Sequence, residues 1–246
     1  MPTSLSSNQP LDVTGFGWTR DQLPASDAGP MSPSEFRAWF GLPADPGRPL
    51  DLEIGSGKGT FLIQHAPLEP GTDFLGIEIA KAFWRHAADR ARRHGVANAR
   101  LLWHDAPTFL RTYVADATFR RVHIYFPDPW PKARHHKRRL IQPAFLKELH
   151  RVLRPAGESS GDPAVVPEVR LATDHEEYFA WMEEAVAQVE AEGWFERLAF
   201  VPLASAGPGE LVGTNFERKY RAETAGDGRK FQGMVLRKRP IDRPTS

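Results

Sequence analysis

The sequence contains no cysteine. Disulfides, thiolate metal sites and cysteine nucleophiles are thereby excluded together, and a reducing compartment is compatible with that absence. Charge imbalance is also missing: 32 Lys and Arg stand against 31 Asp and Glu, for a formal net charge of +1. The chain is therefore no polycation, and any nucleic-acid surface on it must be local. No apolar run approaches the ~20 residues of a membrane-spanning helix. The opening residues, MPTSLSSNQPLD, lack the basic start and apolar stretch of a secretory signal. The nine histidines show no metal-ligand spacing, and the adjacent pair His135 and His136 could not face one ion from a helix. These absences lead to the expectation of a soluble, cytoplasmic protein with no metal and no membrane contact.

What is present fits one large folded domain. The chain has 246 residues, 41% of them apolar and 26% charged. Its 20 glycines and 22 prolines announce many loops. Residues 1–30 are rich in Ser, Pro, Asp and Gly without periodicity and read as a flexible N-terminal arm, leaving 31–246 as the domain. Ser32-Pro33-Ser34-Glu35 before Phe36, Trp39 and Phe40 suits a capped helix over 32–40. From residue 49 the pattern becomes regular. Strands are expected at 49–54, 72–77, 99–104, 121–126 and 168–173. Helices are expected at 58–65, 80–94, 107–114, 143–153 and 176–191, with a polar insert over 158–167. After Trp194 the pattern changes to two strands, 194–202 and 231–237, joined by a long loop without a clear helix. Strands alternating with helices argue for an α/β fold with a mostly parallel sheet. The expected architecture is Rossmann-like: seven strands, helices on both faces, and an antiparallel hairpin at the C-terminus.

The segment Asp51-Leu52-Glu53-Ile54-Gly55-Ser56-Gly57-Lys58-Gly59-Thr60 falls where the first strand turns into a helix. Alternate glycines let backbone pass close to a ligand. Three readings compete: a plain tight turn, a phosphate-binding loop, and a loop for S-adenosylmethionine. A phosphate loop needs glycine five positions before Gly57, where Leu52 stands, and Glu53 would repel a triphosphate. S-adenosylmethionine has no phosphates and carries a sulfonium and an amino group, so an acid ahead of the glycines suits it. Glu78 ends the second strand, where a carboxylate can accept ribose hydroxyls; a dinucleotide dehydrogenase also has such an acid. Asp105 ends the third strand, where it can take an adenine amino group or cap a helix. All three acids fall at carboxyl ends of successive strands, the ligand-binding edge of open α/β sheets.

After the fourth strand comes Phe126-Pro127-Asp128-Pro129-Trp130-Pro131-Lys132. Prolines on either side of Asp128 restrict the backbone and remove competing donors. A basic run follows, Arg134, His135, His136, Lys137, Arg138 and Arg139, with no acid between Asp128 and Glu148. Beside the proposed reaction edge, such a run offers contacts for RNA phosphates. A second basic cluster spans 218–239.

With these residues assembled, the chain resembles the bacterial tRNA (guanine-N7-)-methyltransferase family. The matching pieces are LEIGSGKG (52–59), GIE (76–78), HDA (104–106), FPDPWPKARHHKRR (126–139), ATDHEEYF (172–179) and GTNFERK (213–219). The resemblance implies methyl transfer from S-adenosylmethionine to N7 of the variable-loop guanosine, position 46, of tRNA, with S-adenosylhomocysteine as product. It implies cofactor contacts at Glu53, Gly55, Gly57, Gly59, Glu78, Asp105 and Asp128, and it puts Asp128 at the reaction centre. Lys132, Asp174, Thr214, Asn215, Phe216 and Glu217 look like substrate contacts, and Arg134 to Arg139 like the RNA-contact segment. The competing expectations are a methyltransferase for another RNA or a small molecule, a nicotinamide-dependent oxidoreductase, and an RNA-binding protein without catalysis.

Overall fold

A computed structural model describes residues 10–45, 47–155, 166–223 and 230–240. Residues 1–9 of the expected arm and 158–165 of the expected insert lie outside them. The strands are β1 (Gly17–Thr19), β2 (Leu50–Ile54), β3 (Asp73–Glu78), β4 (Ala99–Trp103), β5 (Arg121–Tyr125), β6 (Glu168–Thr173), β7 (Phe195–Ala199) and β8 (Gln232–Lys238). The helices are α1 (Pro33–Trp39), α2 (Thr60–His65), α3 (Lys81–Arg93), α4 (Ala106–Tyr113), α5 (Pro143–Val152), α6 (Glu176–Ala191) and α7 (Asn215–Glu223). One eight-stranded sheet runs in the order β1-β4-β3-β2-β5-β6-β8-β7. β1 to β6 pair in parallel, and β8 runs antiparallel to both β6 and β7.

Alternation along the strands divides the core between two faces. Leu52, Ile77, Val122 and Leu171 pack with Phe36 of α1, Phe109 of α4, Leu149 of α5 and Val186 of α6. Phe74, Leu101 and Tyr125 point the other way, onto Phe61 of α2 and Trp84 and Ala88 of α3. Helices thus cover both faces. From β2 the chain steps outward to β3 and β4, then returns past β2 to β5 and β6. This order reverses beside β2, and the reversal opens a crevice at the carboxyl edge.

Two expectations need correction. The sheet has eight strands, not seven, because Gly17–Thr19 pairs with β4 inside the segment read as an arm. Three residues are too few to show period two. A Cβ at Gly17 would lie 2.9 Å from Trp84 and 3.0 Å from Ala88, so glycine lets this strand lie against α3. The long loop before the last strand contains a helix, α7. Thr214 accepts from the Glu217 amide at 3.1 Å and so caps it. No described helix is long and apolar enough to cross a membrane.

Candidate functional site

The carboxyl edge carries two adjoining groups of side chains. The first surrounds the loop after β2. Gly55, Gly57 and Gly59 have φ of 76°, 53° and 71°, the left-handed region that favours glycine. The Gly55 and Ser56 amides donate to the Ile77 carbonyl at 2.8 and 3.1 Å, which pins the loop onto β3. Glu78 accepts from the Gly57 amide at 2.8 Å and from the Ala80 amide at 2.7 Å. Both its oxygens are oriented by backbone.

Glu53 differs. It is 4% exposed, and its Oε2 has no hydrogen-bond partner. Burial, with the repulsion of Glu78 added, pushes its carboxyl up to about 8. The nearby Ser56 hydroxyl is likewise buried and unpartnered. A buried carboxyl lacking a partner is costly to ionise. Such a carboxyl suits a cationic partner. Asp105 is partly committed: its Oδ2 accepts from the Thr108 amide at 3.0 Å and hydroxyl at 2.6 Å, capping α4.

The second group follows β5 and β6. Ile54 lies opposite Ile124, so the glycine loop and the Asp128 segment leave neighbouring strands at one edge. Phe126 and Trp130 have φ of 54° and 43°, an uncommon conformation for side-chain-bearing residues. Strain of this kind clusters at functional sites. A cleft of about 460 Å³ opens here, lined by Phe126, Asp128, Asp174, Glu177, Phe216 and Tyr220 among others. Asp128 is exposed and makes no hydrogen bond or ion pair among the described residues. Phe216 packs on Phe126 with ring centroids 5.0 Å apart and on Tyr220 at 4.6 Å.

The basic run forms a 3-10 helix, Ala133–Arg138. Lys132, Arg134, Lys137 and Arg138 are exposed. Arg138 lies 4.9 Å from the Trp130 ring centroid, and His135 meets the same ring edge-on at 5.7 Å. His136 packs against Trp181 and lies 3.4 Å from a Glu177 oxygen.

Two residues of the sequence-derived set point inward. Arg139 is 2% exposed and donates to the Pro129 carbonyl and Glu177, so its guanidinium is turned inward. Glu217 is fully buried and accepts from the amides of Leu211, Val212 and Gly213 at 2.5–2.9 Å, and from Arg221 at 2.6 Å. It organises a loop and has no oxygen facing a substrate. Thr214 caps α7, while Asn215 is exposed. The sequence reading missed Tyr220, Glu177 and the left-handed Phe126. The spacing Thr214-x-x-Glu217 is a helix-start signal and would have led to Tyr220, one turn after Phe216.

The fold and this edge together define a class I methyltransferase architecture. The 16S rRNA methyltransferase KamB superposes with a TM-score of 0.57 at 16% identity, over 85% of this chain and 95% of that one. Residues 47–228 match the family described as "Putative methyltransferase". The chain is 36% identical over 196 residues to the tRNA (guanine-N(7)-)-methyltransferase of Halorhodospira halophila, covering 78% of this chain and 76% of that protein. It is 35% identical over 213 residues to the Alcanivorax borkumensis protein of the same name, covering 87% and 77%. The chain belongs to the tRNA (guanine-N7-)-methyltransferase family.

Proposed function

We propose that this protein transfers the methyl group of S-adenosylmethionine to N7 of a guanine in tRNA, the variable-loop guanosine at position 46. The carrying observation is the pair Glu53 and Glu78. Both are buried beside a left-handed glycine loop, and neither meets a cationic side chain among the described residues. Glu53 would receive the positive end of the cofactor, Glu78 the ribose hydroxyls, and the free Oδ1 of Asp105 the adenine amino group. When bound, the cofactor supplies an electrophilic methyl group.

The rest falls to the cleft after β5. Guanine N7 has an exposed lone pair and no proton to lose, so alignment contributes more than a base. The ring gains positive charge as the bond forms, and Asp128 offsets it. Asp128 and Asp174 both line the cleft, and their carboxylates can accept from the N1 and N2 edge. Phe216 and Tyr220 offer faces on which a purine drawn out of its stack can lie. Lys132, Arg134, Lys137 and Arg138 supply phosphate contacts beside that cleft, in a cytoplasmic setting where tRNA is the partner.

Incubating bulk tRNA with methyl-labelled S-adenosylmethionine and digesting to nucleosides tests the reading. Label in 7-methylguanosine is expected. Label in another nucleoside would move the activity to another target, and no label at all would sink the enzyme reading.

A further inference from the structure

The segment 127–131 reads Pro-Asp-Pro-Trp-Pro, so three of its five residues have no N–H to donate. It is entered at Phe126 and interrupted at Trp130 by left-handed backbone. Among the described residues, a single hydrogen bond reaches its backbone, from Arg139 Nε to the Pro129 carbonyl at 2.9 Å. The same guanidinium donates through Nη2 to Glu177 on α6 at 2.7 Å. It lies 5.2 Å from the Tyr178 ring centroid and 5.0 Å from that of Trp181. Its own backbone is fixed too, with its amide donating to the His136 carbonyl and its carbonyl accepting from Gln142.

We infer that Arg139 is a positioning residue: it ties the loop that carries Asp128 to α6 and so sets where that carboxylate stands over the cleft. The inference rests on reading this cleft as the acceptor site. A planar fork can donate in two directions while its faces stack, which a lysine ammonium cannot reproduce. Among the described residues a loop without ladder bonds of its own has no other hydrogen-bonded anchor, and misplacement by ~1 Å costs ~100-fold in rate.

The test uses the full chain carrying Arg139→Lys, with Glu177→Gln as a milder second variant. Steady-state transfer to tRNA, the salt dependence of tRNA binding and S-adenosylhomocysteine affinity are measured. The 19F spectrum of 5-fluorotryptophan-labelled protein is recorded alongside, with the Trp130 line assigned by Trp130→Phe. For Arg139→Lys, kcat is expected to fall ~30–100-fold. The tRNA KM, salt slope and S-adenosylhomocysteine affinity stay near wild type, and the Trp130 line broadens or splits. Glu177→Gln moves kcat and the Trp130 line in the same direction by less. A wild-type kcat with an unchanged Trp130 line in Arg139→Lys overturns the proposal. So does a loss confined to KM and salt slope, which would make Arg139 a phosphate contact. If Arg139→Lys fails to fold, Glu177→Gln decides: a wild-type kcat and Trp130 line there overturns it. The fluorine readout needs no substrate, so a wild-type chain inert toward tRNA would sink the functional reading while the tether is still judged.

Discussion

Asp51 and Glu53 stand two residues apart on β2 and face the same way, yet their surroundings are opposite. Asp51, nearer the amino edge, is fully buried and grips Arg120 through two hydrogen bonds of 2.8 and 2.6 Å. Burial raises its carboxyl, but Arg120 overrides that and holds it down to about 2. Glu53, nearer the carboxyl edge, has no cation and stands at about 8. Arg37 repeats the first pattern at Asp73, the first residue of β3, with an ion pair of 2.5 Å. At the amino edge Asp51 and Asp73 meet arginines; at the carboxyl edge Glu53 and Glu78 meet no cationic side chain among the described residues. Burial alone therefore does not distinguish the two edges; the absence of a cationic partner does.

The largest effect separates the edges by what they lose. Asp128 is exposed and makes no hydrogen bond or ion pair among the described residues, so Asp128→Ala is expected to leave thermal stability and S-adenosylhomocysteine affinity nearly unchanged. Transfer should fall by ~10²–10³-fold, the range for removing one electrostatic stabiliser. Retained turnover with lost cofactor affinity would move Asp128 from the acceptor side to the donor side.

Next come Asp51→Asn and Glu53→Gln, whose stability effects have opposite sign. Breaking a buried ion pair costs ~3–5 kcal/mol, so Asp51→Asn should destabilise strongly at pH 7. The depressed Asp51 carboxyl stabilises above its unfolded value and loses that contribution as pH falls toward about 2. Glu53 is raised, so its contribution is complete below its unfolded value and is lost as pH rises through about 8. Glu53→Gln should therefore stabilise the ligand-free chain at pH 8, on the order of a few kcal/mol. The same shift makes wild-type S-adenosylhomocysteine binding tighten up to ~tenfold per pH unit toward pH 8, and the variant should lose that slope. Calorimetric titration at pH 6, 7 and 8 measures it. A flat wild-type profile would mean that Glu53 does not meet the ligand as an anion.

The sequence was most readable where period and chemistry coincide. The alternating strands, the glycine loop and the acids at Glu53, Glu78 and Asp105 could be placed without coordinates, because each sits at a strand end set by apolar periodicity. β1 escaped because three residues carry no period. α7 escaped because the glycines and charges around it resemble loop, and its one start signal, Thr214-x-x-Glu217, is short. Motif membership also concealed division of labour. Arg139 and Glu217 stand in the same strings as Arg138 and Phe216, yet they point inward and hold backbone. Only contacts between residues far apart in sequence, such as Arg139 with Glu177, distinguish a support from a contact.

The smallest effect tests that division within the basic run. Lys137 and Arg138 are exposed, and Arg138 is held on the Trp130 ring, so both can meet phosphates without refolding anything. Lys137→Ala combined with Arg138→Ala should weaken tRNA binding and lower the slope of log affinity against log salt by about two, near one per lost phosphate contact. Cofactor affinity, set at the other end of the crevice, should not move. The slope isolates the electrostatic part of binding, because counterion release and not stacking carries the salt dependence. Since Arg138 also covers Trp130, a drop in affinity at constant slope would assign Arg138 to holding the indole and would remove Lys137 as well from the phosphate contacts, leaving Lys132 and Arg134.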